Sequence, residues 1–128
     1  MNLLLDTHAL LWWLLGHTSL SVPARDAIGD ASNDIFVSAA SAWEITTKVR
    51  IGKLPDVVDI AQNLAATVEA QGFVPISISF AHGQMAGSLP GPHRDPFDRM
   101  LAAQAMGDDL VLVSNEQRFD AYGVRRLW

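Results

Sequence analysis

In His93-Arg94-Asp95-Pro96-Phe97-Asp98-Arg99-Met100-Leu101-Ala102-Ala103-Gln104-Ala105, Asp95 and Asp98 stand at the mouth of a predicted helix that turns apolar at once, after a loop bearing proline and glycine. Proline at the first helical position with an aspartate just before it is a strong start signal. The spacing predicts a helix that stops at Gly107. Its two acids have two readings. Asp95 can serve as the cap, and Asp98, three residues on, sits where the helix dipole favours an anion. Alternatively, both belong to a set of carboxylates completed by other parts of the chain.

Working outward, residues 110–114 read as a short buried strand, residues 115–120 as a turn or short helix, and residues 124–128 as an edge strand. Upstream, residues 73–78 form a strand, and Ser79 opens a brief helix ending near Gly87. The chain begins with a strand over residues 2–6, Leu-Leu-Leu closing on Asp6, followed by an apolar helix that Gly16 stops. Ser21 caps a helix to about residue 30, residues 34–38 are a strand, and residues 39–49 are a helix carrying Glu44. A longer helix is expected over residues 56–71, with Val57, Ile60, Leu64 and Val68 on one stripe. Strands thus alternate with helices, which predicts an α/β fold: a mostly parallel central sheet covered on both faces, in three α/β/α layers.

A chain of 128 residues suits one domain, 1–128, with a single core. Hydrophobic residues make up 49% and charged residues 18%, a globular composition. There is no cysteine, so neither a disulfide scaffold nor a thiolate zinc site is available. Residues 1–5 carry no Lys or Arg ahead of Asp6, unlike a secretory signal, and the apolar run 9–15 is too short to span a bilayer. A cytoplasmic protein without a membrane partner is expected. The net charge of −5 argues against a broad cationic face for nucleic acid.

In an open parallel sheet, ligands gather at the carboxyl ends of the strands. Asp6 closes the first strand, Glu44 lies on the helix after the second, Asp95 and Asp98 open the helix before the fourth, and Glu116 follows that strand. Each has an ordinary alternative. Asp6 can cap the helix beginning at Thr7, Glu44 can pair with Lys48 four residues on, and Glu116 can be an exposed helix-start acid. Asp6 and Glu44 are nevertheless embedded in strongly apolar sequence, where an unpartnered carboxylate is costly and gains protons. No Lys or Arg lies within two residues of Asp6, and only Lys48 is in register with Glu44. Several such acids together call for cations, and oxygen-only ligands favour Mg²⁺ or Mn²⁺.

The pattern resembles the PIN-domain family in its VapC-type toxin branch. The matching pieces are Leu3-Leu4-Leu5-Asp6-Thr7-His8, Ala42-Trp43-Glu44-Ile45, Asp98-Arg99-Met100-Leu101-Ala102-Ala103-Gln104-Ala105 and Leu112-Val113-Ser114-Asn115-Glu116. They span nearly the whole chain in the family's order. The resemblance implies a compact PIN-like sandwich and a metal-dependent endoribonuclease, the toxin of a toxin–antitoxin pair neutralised by a cognate antitoxin. It implies Asp6, Glu44 and Asp98 as the three central acids, and a homodimer acting on tRNA, rRNA or mRNA. The family's usual Thr-x-Asp after the last core strand reads Ser114-Asn115-Glu116 here, so Glu116 stands for the fourth acid and Ser114 supplies the hydroxyl.

On this basis Asp6 and Asp98 are expected to hold Mg²⁺ or Mn²⁺, with Glu44 and Glu116 as further ligands and Ser114 and Asp95 in supporting positions. Arg94, Arg99 and Lys48 are the candidates for the RNA backbone, with solvated surface charge or an antitoxin contact as the alternative. His8, His82 and His93 are not required as bases. Trp12 and Trp13 cannot face the same way on a helix, so one of them is a candidate subunit contact, and core packing is the alternative for both. A haloacid-dehalogenase-like phosphatase needs a second Asp two positions after Asp6, where His8 stands; a receiver domain needs a lysine after a late strand, where Asn115-Glu116-Gln117 has none. The remaining rival is a non-catalytic PIN-like interaction module with a weakened metal site.

Overall fold

A computed structural model describes residues 1–91 and 94–128, so His93 lies outside the described residues. The first β-strand, β1 (Asn2–Leu5), ends at Asp6, whose carboxylate caps α1 (Thr7–Leu15) by accepting the Ala9 N–H at 2.7 Å. Gly16 closes α1 in the left-handed region at φ 62°, its N–H directed at the Trp12 and Trp13 carbonyls. There follow α2 (Val22–Gly29), β2 (Asp34–Ser38), α3 (Ala39–Arg50), α4 (Val58–Gln62), α5 (Leu64–Ala70), β3 (Val74–Ile76), α6 (Phe80–Ser88), α7 (Pro96–Gly107), β4 (Val111–Val113) and β5 (Arg126–Leu127). Short 3₁₀ turns occupy Pro55–Val57 and Gln117–Tyr122.

The five strands form one parallel sheet in the order β3-β2-β1-β4-β5. Strand alternation divides the Leu-Leu-Leu run between the two faces. Leu3 and Leu5 pack with Leu10, Ile35, Val37, Ile45 and Val68, while Leu4 packs with Leu101, Ala102, Leu112 and Phe119 on the other side. All three leucines are fully buried. A sheet covered on both faces is the expected three-layer sandwich.

One expectation needs correction. The single helix over residues 56–71 is interrupted at Asn63 (φ −123°, ψ 25°). The Asn63 amide donates to the Asp59 carbonyl at 3.0 Å, and the Thr67 hydroxyl donates back to the Asn63 carbonyl at 2.9 Å. Such local side-chain bonds compete with the helical ladder. Trp12 and Trp13 both pack against the chain's own core and stay partly exposed. Trp13 donates to Gln71 at 2.9 Å and lies against Phe73, while Trp12 is stacked between His8 and His17.

Candidate active site at the carboxyl ends of the strands

Three chain segments carry the acids to one end of the sheet. The β1–β4 pairing runs one residue beyond the strand, with the Asp6 N–H donating to the Val113 carbonyl at 3.1 Å, which sets Asp6 beside Ser114. The Ser114 hydroxyl donates to the Asp6 carboxylate and accepts the Glu116 N–H at 3.0 Å. Arg126 on β5 steadies this turn: its Nη1 donates to the Ser114 carbonyl at 3.0 Å, and the rest of its fork grips Asp120 at 2.9 and 3.1 Å. Fully buried Phe119 anchors the same segment in the core below α7. Asp98, the third residue of α7, is buried, and its charge bears on Asp6.

Asp6 is only 4% exposed. Burial pushes its carboxyl up to about 6; the Ser114 hydroxyl and the Ala9 N–H pull against this, and the nearby charge of Asp98 adds to it. No lysine or arginine pairs with Asp6 among the described residues. Glu44, on the exit helix of β2, is differently placed. Its Oε1 accepts the Thr7 hydroxyl at 2.6 Å, and its Oε2 meets the Lys48 ammonium at 2.5 Å. Ser41, one turn before Glu44, lies 3.0 Å from the Thr7 hydroxyl.

Asp98 accepts Arg118 Nη2 at 2.7 Å, and the same guanidinium lies 3.7 Å from Glu116, which sits at the exposed rim. The four acids therefore share one end of the sheet but do not form the single cage that their spacing suggested. Among the described residues, no three carboxylates or imidazoles stand where they could hold one cation together. Lys48 draws Glu44 to one side and Arg118 draws Asp98 and Glu116 to the other. This is the ordinary response of crowded carboxylates to the nearest positive charge.

The donors nevertheless suit a hard divalent ion. Asp6 and Asp98 are neighbouring oxygen donors beside a hydroxyl, and one or two carboxylates completed by water are the usual protein share of a Mg²⁺ site. Arg118, half exposed on its short turn, occupies the position of a stand-in cation at Asp98. Thr7, Ser41 and Arg118 were not singled out from sequence. Thr7 follows the strand-end acid and Ser41 is the small polar residue three before Glu44, so those two carry a local signal; the Arg118–Asp98 pair, 20 residues apart, carries none.

The remaining candidates fall outside this centre. Asp95 is a helix cap, accepting the Phe97 and Asp98 N–H groups at 2.9 and 3.2 Å. Arg99 donates to the Ala86 carbonyl at 2.9 Å and to the Leu89 carbonyl, so these donors close the end of α6 instead of meeting solvent. Lys48 is spent on Glu44, and Arg94 is exposed. His82 is wired into a capping box with Ser79 and lies 3.1 Å from Asp108; His8 is exposed, and its charge lowers the proton affinity of Asp6.

Residues 3–124 match the PIN domain. The chain is 31% identical over 124 residues to Ribonuclease VapC22 of Mycobacterium tuberculosis, covering 94% of this chain and 92% of that protein. Its fold is similar to that of VapBC2 from Rickettsia felis bound to a promoter DNA fragment, with a TM-score of 0.68 at 16% identity, over 98% of this chain and 97% of that one. It is also similar to FitAB bound to a DNA fragment, with a TM-score of 0.69 at 15% identity, over 97% and 92% of the two chains. The chain belongs to the PIN-domain family, in the branch that holds the VapC ribonucleases.

Proposed function

We propose that this protein is a metal-dependent endoribonuclease that hydrolyses RNA phosphodiesters, and that it is the toxin of a toxin–antitoxin pair held in check by a cognate antitoxin. The observation that carries the chemistry is Asp6: a buried carboxyl beside Asp98, with no lysine or arginine paired to it among the described residues. Asp6 and Asp98 are the residues that would hold Mg²⁺ or Mn²⁺, with Glu44 and Glu116 flanking. A divalent ion in such a site lowers the pKa of water toward neutrality and offsets charge growing on a phosphate.

The chain's own residues have separable roles in this scheme. The Ala9 N–H and the Ser114 hydroxyl both donate to the Asp6 carboxylate and favour its charged form. Thr7 links the Asp6 turn to Glu44 and so sets the spacing of the two acids. Arg118 keeps Asp98 paired, and a half-exposed arginine beside the acid pair is suited to a phosphate oxygen of the RNA. The antitoxin partner rests on the relatives, which include toxin–antitoxin complexes. A homodimer and a cytoplasmic setting are proposed with it, and sedimentation velocity tests the first.

One observation favours a second reading, a non-catalytic interaction module: Glu44 and Asp98 already have cationic partners. Incubating the protein with total RNA in Mg²⁺ or in EDTA, beside Asp98→Asn, separates the two. Cleavage that needs the ion and Asp98 supports the nuclease; RNA left intact under every condition, or cut equally by Asp98→Asn, refutes it.

A further inference from the structure

Trp43 is 60% exposed, unusual for the residue type that buries most area. It lies next to Glu44 on α3 and touches Phe97, the neighbour of Asp98 on α7, edge to face at 4.8 Å between centroids and 75° between planes. Beside this pair is a cavity of about 230 Å³, walled by Ile78, Pro96 and Met100. It is smaller than the roughly 300–1,000 Å³ of a drug-sized ligand site, a size that suits a single ring system. Arg99, held by the Ala86 carbonyl, also lines it.

The distribution of charge says which ring system. Of the nine Lys and Arg, Lys48, Arg118, Arg125 and Arg126 are in ion pairs and Arg99 is bound to carbonyls. Among the described residues Arg25 reaches the His17 carbonyl, at 3.4 Å, and no carboxylate. Among the described residues Arg50, Lys53 and Arg94 form no ion pair. With a net charge of −5 and most of its cations already in contacts, the chain has few groups beside Arg118 to hold RNA by its phosphates. Single-stranded RNA is otherwise gripped by stacking its unpaired bases on aromatic side chains and guanidinium planes.

We infer that Trp43 and Phe97, with the cavity beside them, form a base-stacking site for one unpaired nucleotide of the RNA next to the phosphate presented to Asp6 and Asp98. The inference rests on the ribonuclease reading for its ligand. Each aromatic is the chain neighbour of an acid of the site, Trp43 of Glu44 and Phe97 of Asp98, with Cα atoms about 3.8 Å apart, so a base seated there lies near the acidic end of the sheet. Substrates would therefore be single-stranded or looped at the cut, with weak dependence on base identity.

The test is fluorescence anisotropy of a labelled single-stranded oligoribonucleotide of mixed sequence, titrated with the full chain in EDTA so that binding is read without turnover. Trp43→Ala and Trp43→Leu are expected to weaken binding about ten- to hundredfold, and Trp43→Phe to retain most of it. The slope of log affinity against log salt is expected to be the same in all of them, because Trp43 carries no charge. Equal affinity in Trp43→Ala and the parent chain overturns the proposal. So does a loss of binding that Trp43→Leu does not share. A drop in oligomeric size in Trp43→Ala, with RNA affinity unchanged, also overturns it and assigns the surface to a second copy of the chain. Failure of the nuclease reading looks different: RNA stays uncut in Mg²⁺, or Asp98→Asn cuts it normally, while binding still depends on Trp43.

Discussion

Asp6 and Glu44 are equally buried, each 4% exposed, at the same end of the same sheet, yet they are neutralised in different ways. Glu44 has an ammonium at 2.5 Å and a hydroxyl at 2.6 Å. Among the described residues the donors to Asp6 are neutral, the Ala9 N–H and the Ser114 hydroxyl, with the charges of His8 and Asp98 close by. Burial alone therefore does not decide what a carboxylate does; the charge within reach does. The Glu44 end is complete as a structural ion pair, whereas the Asp6 end is left with negative charge to offset. It is there that a divalent ion has most to contribute.

The largest effect should come from removing a charge at the Asp6 end. Asp98→Asn is expected to lower RNA hydrolysis at least about a hundredfold in an initial-rate assay, with unchanged far-ultraviolet circular dichroism. The next effect concerns stability and has the opposite sign. With the folded-state carboxyl of Asp6 at about 6 and its ordinary value at 3.8, the folded chain keeps this proton between those values while the unfolded chain has lost it. Stability from this group is thus full below about pH 4 and falls as pH rises through the window to about 6. Above that it amounts to a penalty of up to about 3 kcal/mol in metal-free protein. Asp6→Asn should be more stable than the parent chain at pH 7 in EDTA, and urea unfolding should show the difference vanishing near pH 4.

Smaller effects sharpen the contrast from the Glu44 end. Lys48→Ala leaves a buried carboxylate without its cation and is expected to cost about 1–2 kcal/mol by the same unfolding assay, a value reduced for the partial exposure of Lys48. Arg118→Ala should cost less than about 1 kcal/mol, because that guanidinium is half exposed. If Lys48→Ala were neutral while Arg118→Ala unfolded the chain, the division between a structural end and an ion-binding end would have to be reversed.

Much of this was legible in the sequence for a simple reason. Strand-helix alternation fixes where strand ends lie, and Asp6, Glu44, Asp98 and Glu116 sit at or just beyond such ends. Asp95 and Glu44 also took their ordinary parts, as a cap and as the partner of Lys48, because those contacts are local in sequence. What local reading could not supply was the pairing across the fold. Arg118 reaching Asp98 depends on how the turn after β4 docks on α7, and the spread of the acids into two groups follows from it. The break at Asn63 was hidden by an apolar stripe that runs through it, since periodicity does not register one amide bonding its own backbone neighbourhood. Trp43 and Phe97 meet because α3 and α7 are adjacent, which neither segment reveals alone.

The most direct measurement is calorimetric titration of the purified chain with Mn²⁺ at a pH near 6, beside Asp6→Asn. Saturable binding with proton release in the parent chain, lost in Asp6→Asn, is the predicted result. Equal Mn²⁺ affinity in the two proteins, or no binding to either, would contradict the central claim that Asp6 is the anchor of a divalent metal site.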